Sequence, residues 1–329
     1  MCISIQFYAK TKKYAHVDKK YSAGNLSTIC YVMVDWVKEN RIAEGKPSRK
    51  ESHMELFDLI KALILGFVEG MTEFAPVSST GHLIIVDDMW LKTEEFLGKY
   101  PAITFKIVIQ LGSILAVVVV FWKRLFSLVG LYKVDSGVKM SERFNLLHVI
   151  VGMLPAVILG FALKDLIDDY LFGVETVIFA LVAGAVLMIA ADKFGPKNPR
   201  VQTLDQITYK QAFTVGLVQC LSLWPGFSRS GATISGGVLF GMNHRTAADF
   251  TFIMAVPIMM GASLVSVLKN WEYMSMDDIG FYVVGFLSAF VFALISIRFF
   301  LKLISKVKLM PFAIYRIVLA AILAMIVFL

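Results

Sequence analysis

Two short stretches of the chain hold most of the side chains able to do chemistry. The first reads Glu69-Gly70-Met71-Thr72-Glu73-Phe74-Ala75-Pro76-Val77-Ser78-Ser79-Thr80-Gly81-His82. Glu69 and Glu73 are four residues apart, so on a helix they share one face. Two such carboxylates can hold a divalent cation, or one of them can keep a proton. A solvated face, or a pair tied to a lysine, is the bland alternative. The apolar flanks argue against it, because ionisable residues in apolar membrane sequence usually face a cavity and serve it. Pro76 ends or bends the first half-helix. Ser78, Ser79 and Thr80 stand where the next half-helix begins, and hydroxyls there cap free N–H groups. The same N–H groups, with the helix dipole, make a place for phosphate. Gly81 permits close backbone approach, and His82 follows it.

The second stretch reads Trp224-Pro225-Gly226-Phe227-Ser228-Arg229-Ser230-Gly231-Ala232-Thr233. The guanidinium fork of Arg229 suits phosphate oxygens. The structural alternative pairs it with Glu69 or Glu73. Together the stretches offer two carboxylates, several hydroxyls, a histidine and an arginine. That set can bind phosphate and supplies both a nucleophile and an acid/base. Other polar residues are weaker candidates. Lys106 and Gln110 share a helix face and either line the same cavity or pack and snorkel. His148 reads as a core histidine, and His244 and Arg245 as the start of a helix. There is no P-loop, no dinucleotide glycine fingerprint and no HExxH zinc motif.

The two stretches match each other. Gly66 corresponds to Gly216, Val68 to Val218, Glu69 to Gln219, Phe74 to Trp224, Ser78 to Ser228, Thr80 to Ser230 and Gly81 to Gly231, always 150 residues apart. Each lies in an apolar segment, 55–91 or 211–243, broken by Gly, Pro, Ser and Thr into a pair of half-helices. Between and after them lie six apolar spans, roughly 103–122, 146–163, 174–191, 250–268, 280–301 and 312–329. Three spans separate the broken segments, an odd number, so the second copy is expected upside down relative to the first. Inverted repeats with interrupted helices place a site where the hinges meet near the midplane. The repeats run from about 54 to 191 and from about 205 to 329.

Composition sets the environment. The 329 residues are 57% hydrophobic and 17% charged, against about 25% charged in an ordinary soluble domain. Mean hydropathy is +0.71. Spans of about 20 apolar residues match a bilayer core. The fold class is therefore an all-α polytopic membrane protein, with six full spans and two broken or re-entrant helix pairs. Three cysteines, Cys2, Cys30 and Cys220, form no disulfide framework. Residues 1–53 hold ten Lys/Arg and five Asp/Glu, which is +5 of the total +7. They lack a signal-peptide pattern and read as a disordered or non-native extension before a single membrane domain, 54–329.

Basic and acidic loops alternate. Lys123, Arg124, Lys133, Lys139 and Arg143 lie in one loop, Lys193, Lys197, Arg200 and Lys210 in another, and Lys302, Lys306 and Lys308 in a third. The intervening loops hold Asp87, Asp88, Glu94 and Glu95, then Asp165, Asp168, Asp169 and Glu175, then Glu272, Asp277 and Asp278. Positive loops stay in the cytoplasm, which puts Met54 and Leu329 outside.

On both hinges the chain resembles the undecaprenyl-diphosphate phosphatases of bacteria, the bacitracin-resistance type. The likeness spans 54–329, including Ile109-Gln110-Leu111-Gly112-Ser113 and Pro311-Phe312-Ala313-Ile314-Tyr315-Arg316. The resemblance implies hydrolysis of undecaprenyl diphosphate to undecaprenyl phosphate and phosphate. It implies return of the lipid to peptidoglycan synthesis, and dependence on a divalent cation, Mg²⁺ or Ca²⁺. By motif, Glu69 and Glu73 are the acidic pair for the cation. Ser79 is the nucleophile or a phosphate ligand, with Ser78, Thr80 and Gly81 beside it. His82 is the acid/base, with a nucleophilic role as the alternative. Arg229 grips the pyrophosphate, helped by Ser228 and Ser230. Ala75 stands where a larger apolar residue is common. The expected location is the bacterial inner membrane, with the site opening to the outer side. Expected partners are undecaprenyl diphosphate and membrane lipid, with a homodimer as an option and no nucleic acid. A secondary transporter or lipid flippase is the rival reading, since inverted repeats also suit alternating access.

Overall fold

Backbone groups in a bilayer find partners only in helices or closed barrels, and long apolar runs without alternation leave the helix. A computed structural model describes residues 56–132, 143–171, 173–270 and 276–328. The extension 1–53 lies outside the described residues. The helices are α1 (Leu56–Thr72), α2 (Ser79–Leu83), α3 (Thr93–Leu97), α4 (Lys99–Val120), α5 (Trp122–Leu128), α6 (Leu146–Ala162) and α7 (Lys164–Tyr170). They continue as α8 (Val174–Phe194), α9 (Tyr209–Gln219), α10 (Arg229–Leu239), α11 (His244–Asn270), α12 (Ile279–Val307) and α13 (Met310–Phe328). A π-helical stretch, Ile84–Leu91, prolongs α2. No strand forms among the described residues beyond one isolated bridge, Val201 to Met242.

Among the described residues, five helices are long and apolar enough to cross a membrane: α4, α8, α11 as far as Leu268, α12 with its lead-in from Met276, and α13. The chain is a multi-pass integral membrane protein. The expected span at 146–163 is α6, apolar but only 17 residues, short of the roughly 20 that a bilayer core requires. The expected loop 302–310 shrinks to two residues, because α12 continues to Val307 and α13 begins at Met310. Lys302 and Lys306 therefore ride the end of α12. No Gly or Pro interrupts 286–307, so nothing in the chain stops the helix at the membrane edge.

Both apolar segments break as expected. α1 stops at Thr72 and α2 starts at Ser79, with turns at 73–77 around Pro76. α9 passes into a short 3₁₀ turn, Cys220–Leu223, and α10 starts at Arg229. α1 packs on α12, and α9 packs on α6. Small residues permit both crossings. A Cβ on Gly66 would strike the Gly285 carbonyl oxygen, and one on Gly216 the Gly152 carbonyl oxygen. Ser288 and Ser296 of α12 donate to the Leu63 and Met71 carbonyls of α1 at 2.7 and 3.0 Å. α4 packs on α11 and α8 on α13, and α10 lies against α8, α9 and α11. The largest core cluster joins Phe250, Phe252 and Ile253 of α11 to Ile114 and Val117 of α4 and Ile297 of α12. It reaches the first break through Phe74, which lies edge-to-face on Phe252 at 5.2 Å.

Candidate active site

The two breaks have the same local geometry. Ser78 (φ 72°) and Ser228 (φ 72°) both occupy the left-handed region, which costs a non-glycine residue about 1–3 kcal/mol. Each is the N-cap of its helix, α2 or α10. Each side-chain oxygen accepts the backbone N–H three residues on, from Gly81 at 3.4 Å and from Gly231 at 3.2 Å. Glycine at both positions keeps the first turn narrow. The capped turns aim the next residues, Ser79 and Arg229, at one recess.

That recess is lined by Glu73, Ser78, Ser79 and Thr80 from the first break and Ser228 and Arg229 from the second. Gln110 of α4, Ser222 and Met259 of α11 close its sides. Ser79 Oγ donates to Glu73 Oε2 at 2.7 Å. Arg229 Nη2 donates to Glu73 Oε1 at 3.1 Å, with both side chains under a tenth exposed. Glu73 thus bridges the hydroxyl of one hinge and the guanidinium of the other. Arg229 Nη1 is buried and has no hydrogen-bond partner among the described residues. A free guanidinium N–H in a hydroxyl-lined recess is a ready donor to an anionic oxygen. Ser230 also ties the breaks, donating to the Ala75 carbonyl at 3.1 Å while its oxygen lies 3.2 Å from Ser228 Oγ.

Other expected residues sit elsewhere. His82 is not in the lining. Its Nδ1 contacts the Ser78 carbonyl at 2.8 Å and its Nε2 contacts the Tyr315 hydroxyl at 2.6 Å. Glu69 is also outside the lining, 2% exposed, with Oε1 lacking a partner among the described residues. Gln219, its counterpart 150 residues on, is equally buried and has the same orphaned oxygen. Among the described residues, no three His, Cys, Asp or Glu side chains gather as a metal cluster. A Cβ on Gly81 would lie 3.5 Å from Leu181 and Leu319. Gln110 lines the recess, whereas Lys106 pairs with Asp87 and Asp88 at 2.9 and 2.8 Å. His148 is buried in a capping box with Asn145 and stacked on Tyr209, as a core histidine would be. His244 starts α11 and meets Asp192 at 2.7 Å.

Sequence reasoning passed over Ser222 and Met259, and it gave Tyr315 and Arg316 no role beyond their place in the resembling stretch 311–316. The repeat offset applied to Thr72 leads to Ser222, so a signal was present for that residue. Arg316 is fully buried on α13, and nothing in the apolar run around it announces where its side chain goes.

Fold and site define an integral membrane protein of helices, with an arginine, a carboxylate and hydroxyls meeting in a recess between two broken helices. The chain belongs to the bacitracin resistance protein BacA family, which matches residues 62–322. Relatives include the undecaprenyl-diphosphatase of Exiguobacterium sibiricum, 69% identical over 277 residues, 84% of this chain and 100% of that one. That of Anoxybacillus flavithermus is 66% identical over 275 residues, 84% of this chain and 100% of the relative. That of Bacillus subtilis is 57% identical over 274 residues, 83% of this chain and 99% of the relative.

Proposed function

We propose that the chain hydrolyses undecaprenyl diphosphate to undecaprenyl phosphate and inorganic phosphate in the recess between the two breaks. Membership of the family and the relatives' names support the reaction. The observation that carries the site is the Ser79–Glu73–Arg229 chain of contacts, with one guanidinium N–H left free. A transport function is not favoured beside relatives named as diphosphatases.

The chemistry follows from the contacts. Arg229 binds the diphosphate through Nη1 and neutralises charge that grows as the phosphoryl group transfers. Ser228 and Thr80 add hydroxyl donors from either side. Ser79 Oγ attacks the terminal phosphorus as Glu73 Oε2 takes its proton. The bond to the bridging oxygen breaks, and undecaprenyl phosphate leaves with that proton. Water then attacks the phosphoserine, Glu73 takes a proton from it, and Ser79 is regained as phosphate departs.

A divalent cation, Mg²⁺ or Ca²⁺, fits the donor set in kind. The orphaned Glu69 Oε1 is a hard oxygen one helical turn from Glu73, and Mg²⁺ commonly takes one or two carboxylates together with phosphate oxygens. When bound, the cation supplies further neutralisation of phosphate charge. The two halves are read as inverted repeats. Matched caps at Ser78 and Ser228 and matched crossings at Gly66 and Gly216 support this. The basic loops then lie in the cytoplasm of a bacterial inner membrane, and the site faces outward.

The test is phosphate release by the purified full-length protein from undecaprenyl diphosphate in detergent with Mg²⁺ or Ca²⁺. Release that falls at least about 10³-fold in a folded Ser79→Ala variant supports the reading. Undiminished release from that variant overturns it.

A further inference from the structure

Two adjacent residues of α13 hold the two breaks separately, although α13 contributes nothing to the lining of the recess. Tyr315 reaches the first break through His82. The Ser78 carbonyl can only accept, so at 2.8 Å His82 Nδ1 carries the hydrogen and donates it. Nε2 of that neutral ring then bears the lone pair, and Tyr315 O–H donates to it at 2.6 Å. The rings stack nearly parallel, 6° apart, with centroids 5.6 Å apart. Both ring nitrogens are thereby occupied, one of them by the backbone of the strained cap residue whose neighbour is Ser79.

Arg316 reaches the second break directly. Its guanidinium is wholly buried and meets no carboxylate among the described residues. Nη2 donates to the Gly226 carbonyl at 3.0 Å and the Ala180 carbonyl at 3.2 Å. Gly226 (φ 93°) is two residues before the strained cap Ser228 and three before Arg229. Room for the fork comes from two glycines. A Cβ on Gly184 would strike Arg316 Nη2 and come within 2.6 Å of the Phe227 carbonyl, and one on Gly231 would lie 2.9 Å from Nη1. A buried guanidinium held by two carbonyls and the Met188 sulfur is an expensive device. It holds a strained turn, and strained backbone persists only where its surroundings over-determine it.

We propose that α13 is the strut that sets the two half-sites in register. Tyr315 and His82 fix the Ser78–Ser79 turn, and Arg316 fixes the Gly226–Arg229 turn. His82 is on this account a positioning residue for Ser79 and not the acid/base. The inference rests on the proposed hydrolysis at the recess. A small misplacement of Ser79 relative to Arg229 is expected to cost up to about 10²-fold in rate.

The experiment is steady-state phosphate release from undecaprenyl diphosphate by the full-length protein, with thermal stability in detergent measured on every variant. Tyr315→Phe removes one oxygen and is expected to lower kcat about tenfold, with KM within about twofold, as expected when geometry alone is disturbed. His82→Asn keeps an N–H able to reach the Ser78 carbonyl and is expected to retain far more activity than His82→Ala. Its pH–rate profile keeps the wild-type shape. Tyr315→Phe added to His82→Asn is expected to cost nothing further, because both cut the same chain of contacts. Arg316→Lys and Gly184→Ala are each expected to lower kcat about 10²-fold, and together no more than either alone. Should Arg316→Lys fail to fold, Tyr315→Phe and the His82 pair still decide. Wild-type kcat in Tyr315→Phe and Arg316→Lys overturns the strut. So does loss of a pH limb in His82→Asn with Tyr315→Phe inert, which returns His82 to acid/base work. A wild-type protein that releases no phosphate overturns the proposed function, and the strut's catalytic role with it. Active wild type with unaffected variants overturns the strut alone.

Discussion

The Glu73–Arg229 pair is both a catalytic contact and a buried ion pair, and the two roles can be separated. The charged atoms lie 3.1 Å apart, with 7% and 9% of the two side chains exposed. Removing one partner strands the other charge, which costs about 3–5 kcal/mol for a buried pair. Removing both leaves no stranded charge, and the double change is expected to be near neutral in stability. Arg229→Met and Glu73→Gln alone should therefore each lower the apparent Tm by roughly 6–20 °C. The double variant should return to within a few degrees of wild type. Activity should not return with it. The double variant lacks both the guanidinium that meets phosphate and the carboxylate that takes the Ser79 proton, and each is worth at least about 10²-fold. Thermal unfolding in detergent and phosphate release on the same samples give both readings. A double variant destabilised by the sum of the singles would refute mutual pairing. A double variant with wild-type turnover would refute the catalytic assignment.

Three further outcomes follow from the packing and the donor set. Gly66→Ala and Gly216→Ala each drive a Cβ into a facing backbone carbonyl; each should cost about 1–3 kcal/mol, read as a lowered Tm. Lys106→Met removes the partner of the nearly buried Asp87 and should lower Tm while leaving kcat within about twofold, because Lys106 does not line the recess. Chelation of divalent cations should depress phosphate release, with recovery on adding Mg²⁺ or Ca²⁺, and Glu69→Gln should raise the cation concentration needed for half-maximal rate; cation-independent turnover would remove Glu69 from that role.

Much of this site was legible in the chain because hinge chemistry is local. Pro76, the hydroxyl run from Ser78 and the glycines at 81 and 231 mark turns and caps by residue type alone. Arg229 stood out because a guanidinium in apolar sequence needs a partner, and its partner proved to be Glu73. The 150-residue offset located the second hinge and also points to Ser222. What sequence did not convey is the direction of side chains and the pairing of distant helices. His82 is three residues from Ser79 yet lies outside the lining of the recess and meets a residue 233 positions later. Arg316 gives no hint that it will reach past α8 to the Gly226 carbonyl. Lys106 was ambiguous until its two aspartates, eighteen and nineteen residues earlier, came to it across the π-helical turn. Helix ends were also misjudged where hydropathy falls but helix propensity does not, as at Lys302 and Lys306.

The most direct test of the Ser79–Glu73–Arg229 account is acid-quenched turnover of undecaprenyl diphosphate by the full-length protein, followed by peptide mass mapping of the phosphoenzyme. The account predicts one phosphoryl group on Ser79 and none in Ser79→Ala. A phosphoryl group on His82 instead, or full turnover with no phosphoenzyme when its breakdown is slowed, would contradict it.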